Sequence, residues 1–165
     1  EHEMKRKPAG VRERAGAVLL LVFGLYALFE AAKLPFGGLR APDAGANDLL
    51  GADGYLFATP ENLAAISGML KDFFDRSYYA VLERINGRPY SSLVCAGSDG
   101  QNAARQIERI ASGWRLKAIA PALILCTHAQ SPQDILRPKQ IGTAGLQSCR
   151  EIGAAMATGL VMGVF

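Results

Sequence analysis

Two short polar segments of the sequence carry residues suited to holding a flat ligand. They are Thr59–Asn62 (TPEN) and Gly97–Gly100 (GSDG). Glycine lets the backbone approach a heteroaromatic ring closely, and backbone N–H groups can donate to the carbonyls of such a ring. Each segment follows an apolar run and precedes a stretch of helical pattern, so each is predicted to join a strand to a helix. Because ligands of open parallel sheets bind outside the carboxyl ends of the strands, the two segments are predicted to form one slot for a planar ring.

The same residue types also have a purely structural interpretation. Asp, Asn, Ser and Gly are common between strands and helices because they cap helix N-termini. For Asn62 and Asp99, a capping role without any ligand therefore stays open.

The segments can converge only if the flanking elements form one sheet. Tyr55–Ala58 is a short apolar run that predicts a central strand. The apolar residues that follow recur at the spacing of about 3.6 residues typical of a buried helical face, which predicts a helix directly after Asn62. The buried stripe of this helix would comprise Leu63, Ile66, Leu70, Phe73 and Phe74.

Strand and helix patterns alternate along the rest of the chain, which predicts a parallel sheet with helices on both faces. Residues 128–142, which include Pro132 and Pro138, are predicted to be mostly extended loop. Further strands are predicted at Val18–Phe23, around Leu39, at Tyr90–Ala96 and at Ile119–Thr127, and further helices at Asn47–Leu50, Gln101–Gly113 and about Thr143–Gly163.

Composition favours one globular domain at 15–165 after a basic tail at 1–14. The net charge of +3 comes mostly from that tail, so the domain gives no case for nucleic-acid binding. The three cysteines, Cys95, Cys126 and Cys149, form no CxxC pair, which argues against a disulfide framework or a zinc site. Free thiols of this kind fit a reducing cytoplasm.

The apolar stretch at 15–32 has two interpretations. After a basic tail it resembles a signal segment or a membrane anchor, but its uninterrupted part is shorter than the roughly 18–20 residues that span a bilayer. A buried first strand, followed after Gly24 by a short helix at Leu25–Lys33, is favoured because an all-apolar run is typical of a central parallel strand.

Three segments carry a resemblance to a known family: LFATPENLAAISGMLKDFFDR, RPYSSLVCAGSDGQNAARQIERIASGWRLK and LILCTHAQSPQDIL. Together they resemble flavodoxin-fold FMN proteins of the NAD(P)H-dependent reductase and quinone-oxidoreductase type, from about Arg40 to Phe165. The resemblance implies an α/β fold of three αβα layers around a parallel sheet. It also implies FMN as cofactor, NAD(P)H as electron donor, a quinone or other small molecule as acceptor, and a homodimer or tetramer.

The resemblance implies two groups of FMN-contacting residues. The loop that packs against the isoalloxazine ring corresponds to Thr59, Pro60, Glu61, Asn62, Leu63 and Ala64. The loop that borders the other side of the ring corresponds to Ala96, Gly97, Ser98, Asp99 and Gly100.

The amino-terminal part departs from this family. Its members have a Ser/Thr-rich loop after the first strand that cradles the FMN phosphate, whereas no Ser or Thr lies between Glu1 and Ala58 here. The first βα unit is therefore expected to be shortened or atypical. Because charge-assisted hydrogen bonds contribute about 1.5–3 kcal/mol each, losing several would weaken FMN binding by orders of magnitude. Either the phosphate is held differently, or the chain is a flavodoxin-fold scaffold with impaired or lost FMN binding.

No protein nucleophile or metal ligand set is predicted. Flavin hydride transfer needs no such group, because the cofactor carries the chemistry. His128 is interpreted as a surface loop residue, and Glu61 is a candidate general acid without a neighbouring group in sequence to perturb it. Arg105, Arg109 and Arg115 are interpreted, together with Glu108, as a solvated helix face, although attraction of an NADPH phosphate stays open.

Overall fold

The computed structural model of the chain describes residues 18–21 and 38–165. In chain order, the strands are β1 (Val18–Leu21), β2 (Gly38–Leu39), β3 (Gly54–Asn62), β4 (Ala65–Ile66), β5 (Pro89–Ala96), β6 (Lys117–Ala118) and β7 (Leu123–Cys126). The helices are α1 (Ala46–Gly51), α2 (Gly68–Val81), α3 (Gln101–Gly113), α4 (Pro132–Leu136) and α5 (Thr143–Met162).

The sheet has the order β2-β1-β3-β5, and β6 and β7 both pair with the outer edge of β5. All of these pairings are parallel, and only the short β4 runs antiparallel, beside the end of β3. If β6 and β7 are counted as one interrupted strand, this is the 2-1-3-4-5 order of doubly wound flavodoxin-like sheets. The predicted fold class is therefore confirmed.

Alternate residues of β3 face the two sides of the sheet, as the period of two requires. Tyr55 and Phe57 pack with α1, α2 and α3 on one face, while Leu56 and Ala58 pack with Cys149 and other residues of α5 on the opposite face. The chain thus forms three layers with the sheet in the middle, as the sequence predicts.

Trp114 lies at the end of α3 and is fully buried. Its indole N–H donates to the backbone carbonyl of Tyr78 at 3.1 Å, and its ring meets that of Phe74 edge to face at 5.5 Å. This contact fixes the packing of α3 against α2.

The segment after Asn62 differs from the prediction, because α2 begins at Gly68 and not directly after Asn62. Leu63 and Ala64 both have a positive φ, at 51° and 60°, so the chain reverses there and returns as β4. Leu63 is fully exposed at the tip of this hairpin and is no part of a buried stripe. The predicted elbow, residues 59–62, is therefore the last part of β3, and α2 is capped by the Ser67 hydroxyl, which accepts from the Leu70 N–H.

The last strand also differs from the single predicted segment Ile119–Thr127. Tyr90 pairs with Ala118 and Leu93 pairs with Leu123, so the four residues 119–122 lie opposite only Ser91 and Ser92. The two extra residues on this side form a bulge that interrupts the ladder between β6 and β7.

The region predicted as extended loop contains the short helix α4, whose N-cap Ser131 accepts from the Asp134 N–H. Pro132 stands in the first turn of this helix, where a missing N–H costs no hydrogen bond. The proline that suggested a loop is therefore a helix-start residue.

Residues 18–21 lie between β2 and β3 in the sheet, which confirms the strand within Val18–Phe23. The tail at 1–14 and the predicted helix at Leu25–Lys33 fall outside the described residues. In the described part of the chain, no helix combines the length and apolar character needed to cross a bilayer.

Candidate functional site

The carboxyl ends of β3, β5 and β7 open into one cleft of about 1040 Å³. Pro60 and Gly97 both line it, and Pro60 lies directly opposite Cys95 in the ladder between β3 and β5. The predicted convergence of the two segments at one sheet edge is therefore observed.

A hydrogen bond ties the two loops together across this edge. The Glu61 carboxylate accepts from the backbone N–H of Gly100 at 3.1 Å. Gly100 has a φ of 75°, and a Cβ there would lie 2.7 Å from Cγ2 of Ile124, so this position requires glycine. The carboxylate that was a candidate general acid serves as a bridge between the walls of the cleft.

The hairpin tip is also held by side chains of α3. The Asn102 amide donates to the carbonyl of Ala64, and Oε1 of Gln106 accepts from the Ile66 N–H at 3.2 Å. These bonds position the turn at Leu63 and Ala64 beside the cleft.

Thr59 is fully buried at the base of the hairpin and is not among the residues that line the cleft. Its hydroxyl accepts from the Ser67 N–H at 3.1 Å and donates to the carbonyl of Pro60 at 2.9 Å. Because its hydroxyl both donates and accepts within the hairpin, Thr59 stabilises the loop and does not contact the cleft.

The predicted FMN-contacting residues divide into two groups in the structure. Five of them do not line the cleft: Thr59, Ala64, Ser98, Asp99 and Gly100. The Asp99 carboxylate accepts from the Gln101 N–H at 3.3 Å at the start of α3, although the N-cap residue of this helix is Gly100 and not Asp99. The predicted residues that line the cleft are Pro60, Glu61, Asn62, Leu63, Ala96 and Gly97.

The remaining wall comes from residues that the sequence analysis did not single out. Thr127 and Ala129 follow β7, and the chain from Ile135 to Gln140 closes the far side. The only sequence signal for this wall is the basic RPK segment, 137–139, downstream of a strand end.

The two cations of this wall differ in what they contact. The Lys139 ammonium donates to the carbonyls of Asp134, Ile135 and Arg137 at 2.6–2.7 Å, which holds the segment after α4 in place. The Arg137 guanidinium lies 3.5 Å from the Asp134 carboxylate, and its side chain is 74% exposed. Arg137 can therefore rotate toward an anionic ligand with little loss of binding energy. Lys139 cannot do so without losing its three hydrogen bonds to backbone carbonyls.

Cys95 contributes the remaining ionisable group of the cleft wall. Burial in the sheet raises the pKa of the Cys95 thiol, so this group is neutral at physiological pH. A neutral thiol offers the cleft a small apolar surface rather than a nucleophile. Within the described residues, no group of three or more His, Cys, Asp or Glu could hold a metal ion.

Solved structures of flavodoxin-like proteins share this fold. A flavodoxin from the domain Archaea is 14% identical, with a TM-score of 0.68 over 87% of this chain and 98% of its own. A flavodoxin, WrbA-like protein from Agrobacterium tumefaciens is 17% identical, with a TM-score of 0.62 over 90% of this chain and 98% of its own. An NADPH-quinone reductase from P. pentosaceus is 16% identical, with a TM-score of 0.57 over 82% of this chain and 96% of its own. At these identities, the similarity shows the fold.

No curated protein matches the chain, but a family model does. The model of the family described as NADPH-dependent FMN reductase matches residues 41–130, more than half of the 165 residues, and this range contains both loops that Glu61 and Gly100 join. The chain belongs to the NADPH-dependent FMN reductase family.

Proposed function

We propose that the chain binds FMN in the cleft and transfers electrons from NADPH to a quinone or another small acceptor. The observation that carries this proposal is the hydrogen bond between Glu61 and Gly100, because it holds the hairpin and the loop after β5 as two walls of one slot. Family membership supports the choice of FMN and NADPH.

The described residues fit the ring of a flavin. The wall formed by Pro60 and Leu63 is apolar, and Gly97 presents backbone without a side chain. A Cβ at Gly97 would lie 3.3 Å from the carbonyl oxygen of Ala129, so the loop is already packed closely from behind. The cleft, at about 1040 Å³, stands at the upper end of small-molecule sites, which leaves room for a substrate beside the ring.

FMN, when bound, supplies the hydride chemistry of this reaction. The protein would then bind and orient the reactants and exclude water from them. Pro60, Leu63, Ala96 and Gly97 would hold the ring system, while the neutral thiol of Cys95 adds apolar surface at the end of β5. The part of the chain expected to hold the FMN phosphate follows β1 and lies outside the described residues.

The charges at the rim favour an anionic dinucleotide as the second ligand. Arg137 and Lys139 bring two positive charges to the cleft, and Glu61 brings one negative charge that is engaged by the Gly100 N–H. The planar guanidinium of Arg137 can form paired hydrogen bonds with a phosphate group. We therefore assign the phosphates of NADPH to the Arg137 side of the cleft.

The proposal is tested by titrating the purified full chain with FMN and following flavin fluorescence, then measuring NADPH oxidation with a small quinone. We expect saturable quenching and FMN-dependent turnover. A Gly97→Val variant should lose FMN affinity, because its side chain would press against the carbonyl of Ala129 and displace the loop that borders the slot. Gly142→Val is the matched control, since no atom lies within 4 Å of a Cβ there.

A chain that takes up no FMN and oxidises no NADPH would reject the proposal. That result would favour the alternative of a flavodoxin-fold scaffold without a cofactor. Equal FMN affinity of the Gly97→Val and Gly142→Val variants would instead place the flavin outside this cleft.

A further inference from the structure

Two large aliphatic side chains stand exposed at the mouth of the cleft. Leu63, at the tip of the hairpin after β3, is 102% exposed, and Ile135, in α4 after β7, is 57% exposed. Both line the cleft. Because β5 lies between β3 and β7 in the sheet, the two side chains approach the cleft from either side of Ala96 and Gly97, at the carboxyl end of β5. The mouth of the cleft therefore has an apolar side chain on each flank.

The backbone holds Leu63 in a conformation that is unfavourable for this residue type. Leu63 and Ala64 both have a positive φ, which residues with a side chain rarely adopt. Such residues persist only where the surrounding structure fixes them, and they cluster at active sites and ligand clamps. Here the side chains of Asn102 and Gln106 in α3 hold the turn. A leucine that is exposed, strained and held in place by another helix indicates contact with a ligand.

Ile135 is also held in place, on the opposite flank. The hydroxyl of Ser131, the N-cap of α4, accepts from the Asp134 N–H at 3.1 Å. The carbonyl of Ile135 itself accepts from the Lys139 ammonium at 2.7 Å. The next residue, Leu136, is 85% exposed but does not line the cleft. Of these two neighbouring aliphatic residues, only Ile135 therefore faces the cleft, and Leu136 provides a matched comparison.

Several polar groups of the cleft are engaged by the protein itself. The Glu61 carboxylate accepts from a backbone N–H, and the Lys139 ammonium donates to three backbone carbonyls. The Thr127 hydroxyl donates to the carbonyl of Ala96 at 3.1 Å. The Arg137 guanidinium serves the NADPH phosphates in the proposed reaction. The surface that the mouth offers to the second substrate is therefore mainly apolar, and removing such surface from water favours binding in proportion to its area.

We propose that Leu63 and Ile135 determine the specificity for the electron acceptor and select an uncharged quinone that carries an alkyl chain. The alkyl chain lies between these two side chains at the mouth, and the quinone ring points into the cleft. This inference rests on the proposed reductase function. In that reaction NADPH gives a hydride and solvent gives a proton, so the quinone gains two electrons and two protons and becomes a hydroquinone, while NADPH becomes NADP⁺.

Two quinones that differ only in the alkyl chain test the proposal: 2,3-dimethoxy-5-methyl-1,4-benzoquinone and its 6-pentyl derivative. The full chain, loaded with FMN, is supplied with NADPH and either quinone, and kcat/KM is measured for each. Because every methylene that leaves water adds to binding, we expect kcat/KM to be about tenfold higher for the pentyl derivative.

The variants Ile135→Asn and Leu136→Asn separate the two exposed aliphatic residues of α4. Ile135→Asn should reduce the ratio of the two kcat/KM values to about twofold or less, whereas Leu136→Asn should retain it, because Leu136 does not line the cleft. Saturation-transfer NMR without NADPH gives a second readout. The pentyl protons should receive saturation from the unmodified chain and from Leu136→Asn, and less from Ile135→Asn.

Equal kcat/KM values for the two quinones would overturn this inference and leave the reductase function intact. A ratio that falls equally in Ile135→Asn and Leu136→Asn would also overturn it, because the preference would then come from general surface hydrophobicity. The same holds for a chain that binds FMN and oxidises NADPH but reduces neither quinone. A chain that binds no FMN and oxidises no NADPH would instead reject the proposed function, and this inference with it.

Discussion

The backbone N–H of Gly100 donates to the Glu61 carboxylate across 3.1 Å, and the two residues come from different loops, 39 positions apart. The φ of 75° and the nearby Ile124 leave no room for a side chain at Gly100. Glu61 belongs to the hairpin that Asn102 and Gln106 of α3 hold in place. The width of the cleft is therefore set by a bond between a rigid donor and a positioned acceptor.

Replacing Glu61 should weaken FMN binding. Glu61→Ala removes the acceptor and leaves the Gly100 N–H without a partner, so the hairpin is free to move away from the loop after β5. Since the site is half-exposed, we expect a loss of about 1 kcal/mol, or roughly fivefold in the dissociation constant. Glu61→Gln keeps an acceptor oxygen and should stay within about twofold. The measurement is a fluorescence titration with FMN, and equal affinities for the three proteins would show that the bond does not shape the site.

Replacing Arg137 should separate NADPH binding from FMN binding. Arg137→Gln removes the exposed guanidinium that we assign to the phosphates, and for a solvent-exposed contact we expect the KM for NADPH to rise about three- to tenfold. The dissociation constant for FMN should not change. Arg84→Gln, an exposed residue outside the cleft, is the matched control. Steady-state kinetics with NADPH check this, and a change in FMN affinity of equal size would place Arg137 on the flavin instead.

Alanine substitutions at Gly100 and Gly87 should separate the cost of backbone strain from the cost of steric conflict. Both have a positive φ, at 75° and 77°, but a Cβ at Gly100 would meet Ile124, whereas one at Gly87 would meet no atom within 4 Å. We expect Gly87→Ala to lower the free energy of unfolding by about 1 kcal/mol and Gly100→Ala to lower it by about 2–4 kcal/mol. Guanidinium denaturation measures both. Equal losses would mean that Ile124 moves aside without cost.

The sequence predicts α3 to the residue because its amphipathic period is strong and Gly100 and Trp114 flank it. The sequence wrongly predicts a helix at the hairpin, because Leu63, Ile66 and Leu70 recur at helical spacing. A turn with positive φ at Leu63 and Ala64 also lacks the Asn or Gly that normally marks one. Local patterns alone could not reveal a reversal that is held by distant side chains of α3.

The sequence also failed to predict the far wall of the cleft and the bulge at 119–122, for a related reason. The residues 119–127 form a nearly continuous apolar run, and nothing in that run shows that two of them are extra relative to β5. Likewise, Arg137 and Lys139 reach the cleft only because α4 turns the chain back toward the hairpin. Register and tertiary packing decide both features.

Glycine in the turn at Leu63 and Ala64 should increase the stability of the folded chain. An L-residue in the left-handed region costs about 1 kcal/mol, and glycine avoids that cost although it loses some backbone entropy on folding. Ala64→Gly should therefore raise the free energy of unfolding by about 0.5 kcal/mol, while Ala65→Gly, in β4, should lower it by about 0.5–1 kcal/mol. Denaturant midpoints for the two variants check this, and destabilisation by both would show that the turn relaxes in solution.

The stability of the chain should fall in alkaline solution because its buried thiols keep their protons when folded. Burial raises the pKa of both Cys95 and Cys149 above the ordinary value of 9.0. Above that pH the unfolded chain loses these protons and the folded chain retains them, so the unfolded state becomes relatively more favourable. The contribution of these thiols to the free energy of unfolding should therefore be constant below about pH 8 and decrease as the pH rises through about 9 and beyond.

The double variant Cys95→Ala/Cys149→Ala tests this cause. It should be less stable at neutral pH, because two buried side chains are shortened, but its stability should depend less on pH between about 8 and 10. Burial also raises the pKa of Tyr55 to about 12, so a second decrease, common to both proteins, should follow above about pH 10. Guanidinium denaturation over this range measures both slopes. Parallel curves for the two proteins would mean that groups other than these thiols cause the alkaline decrease.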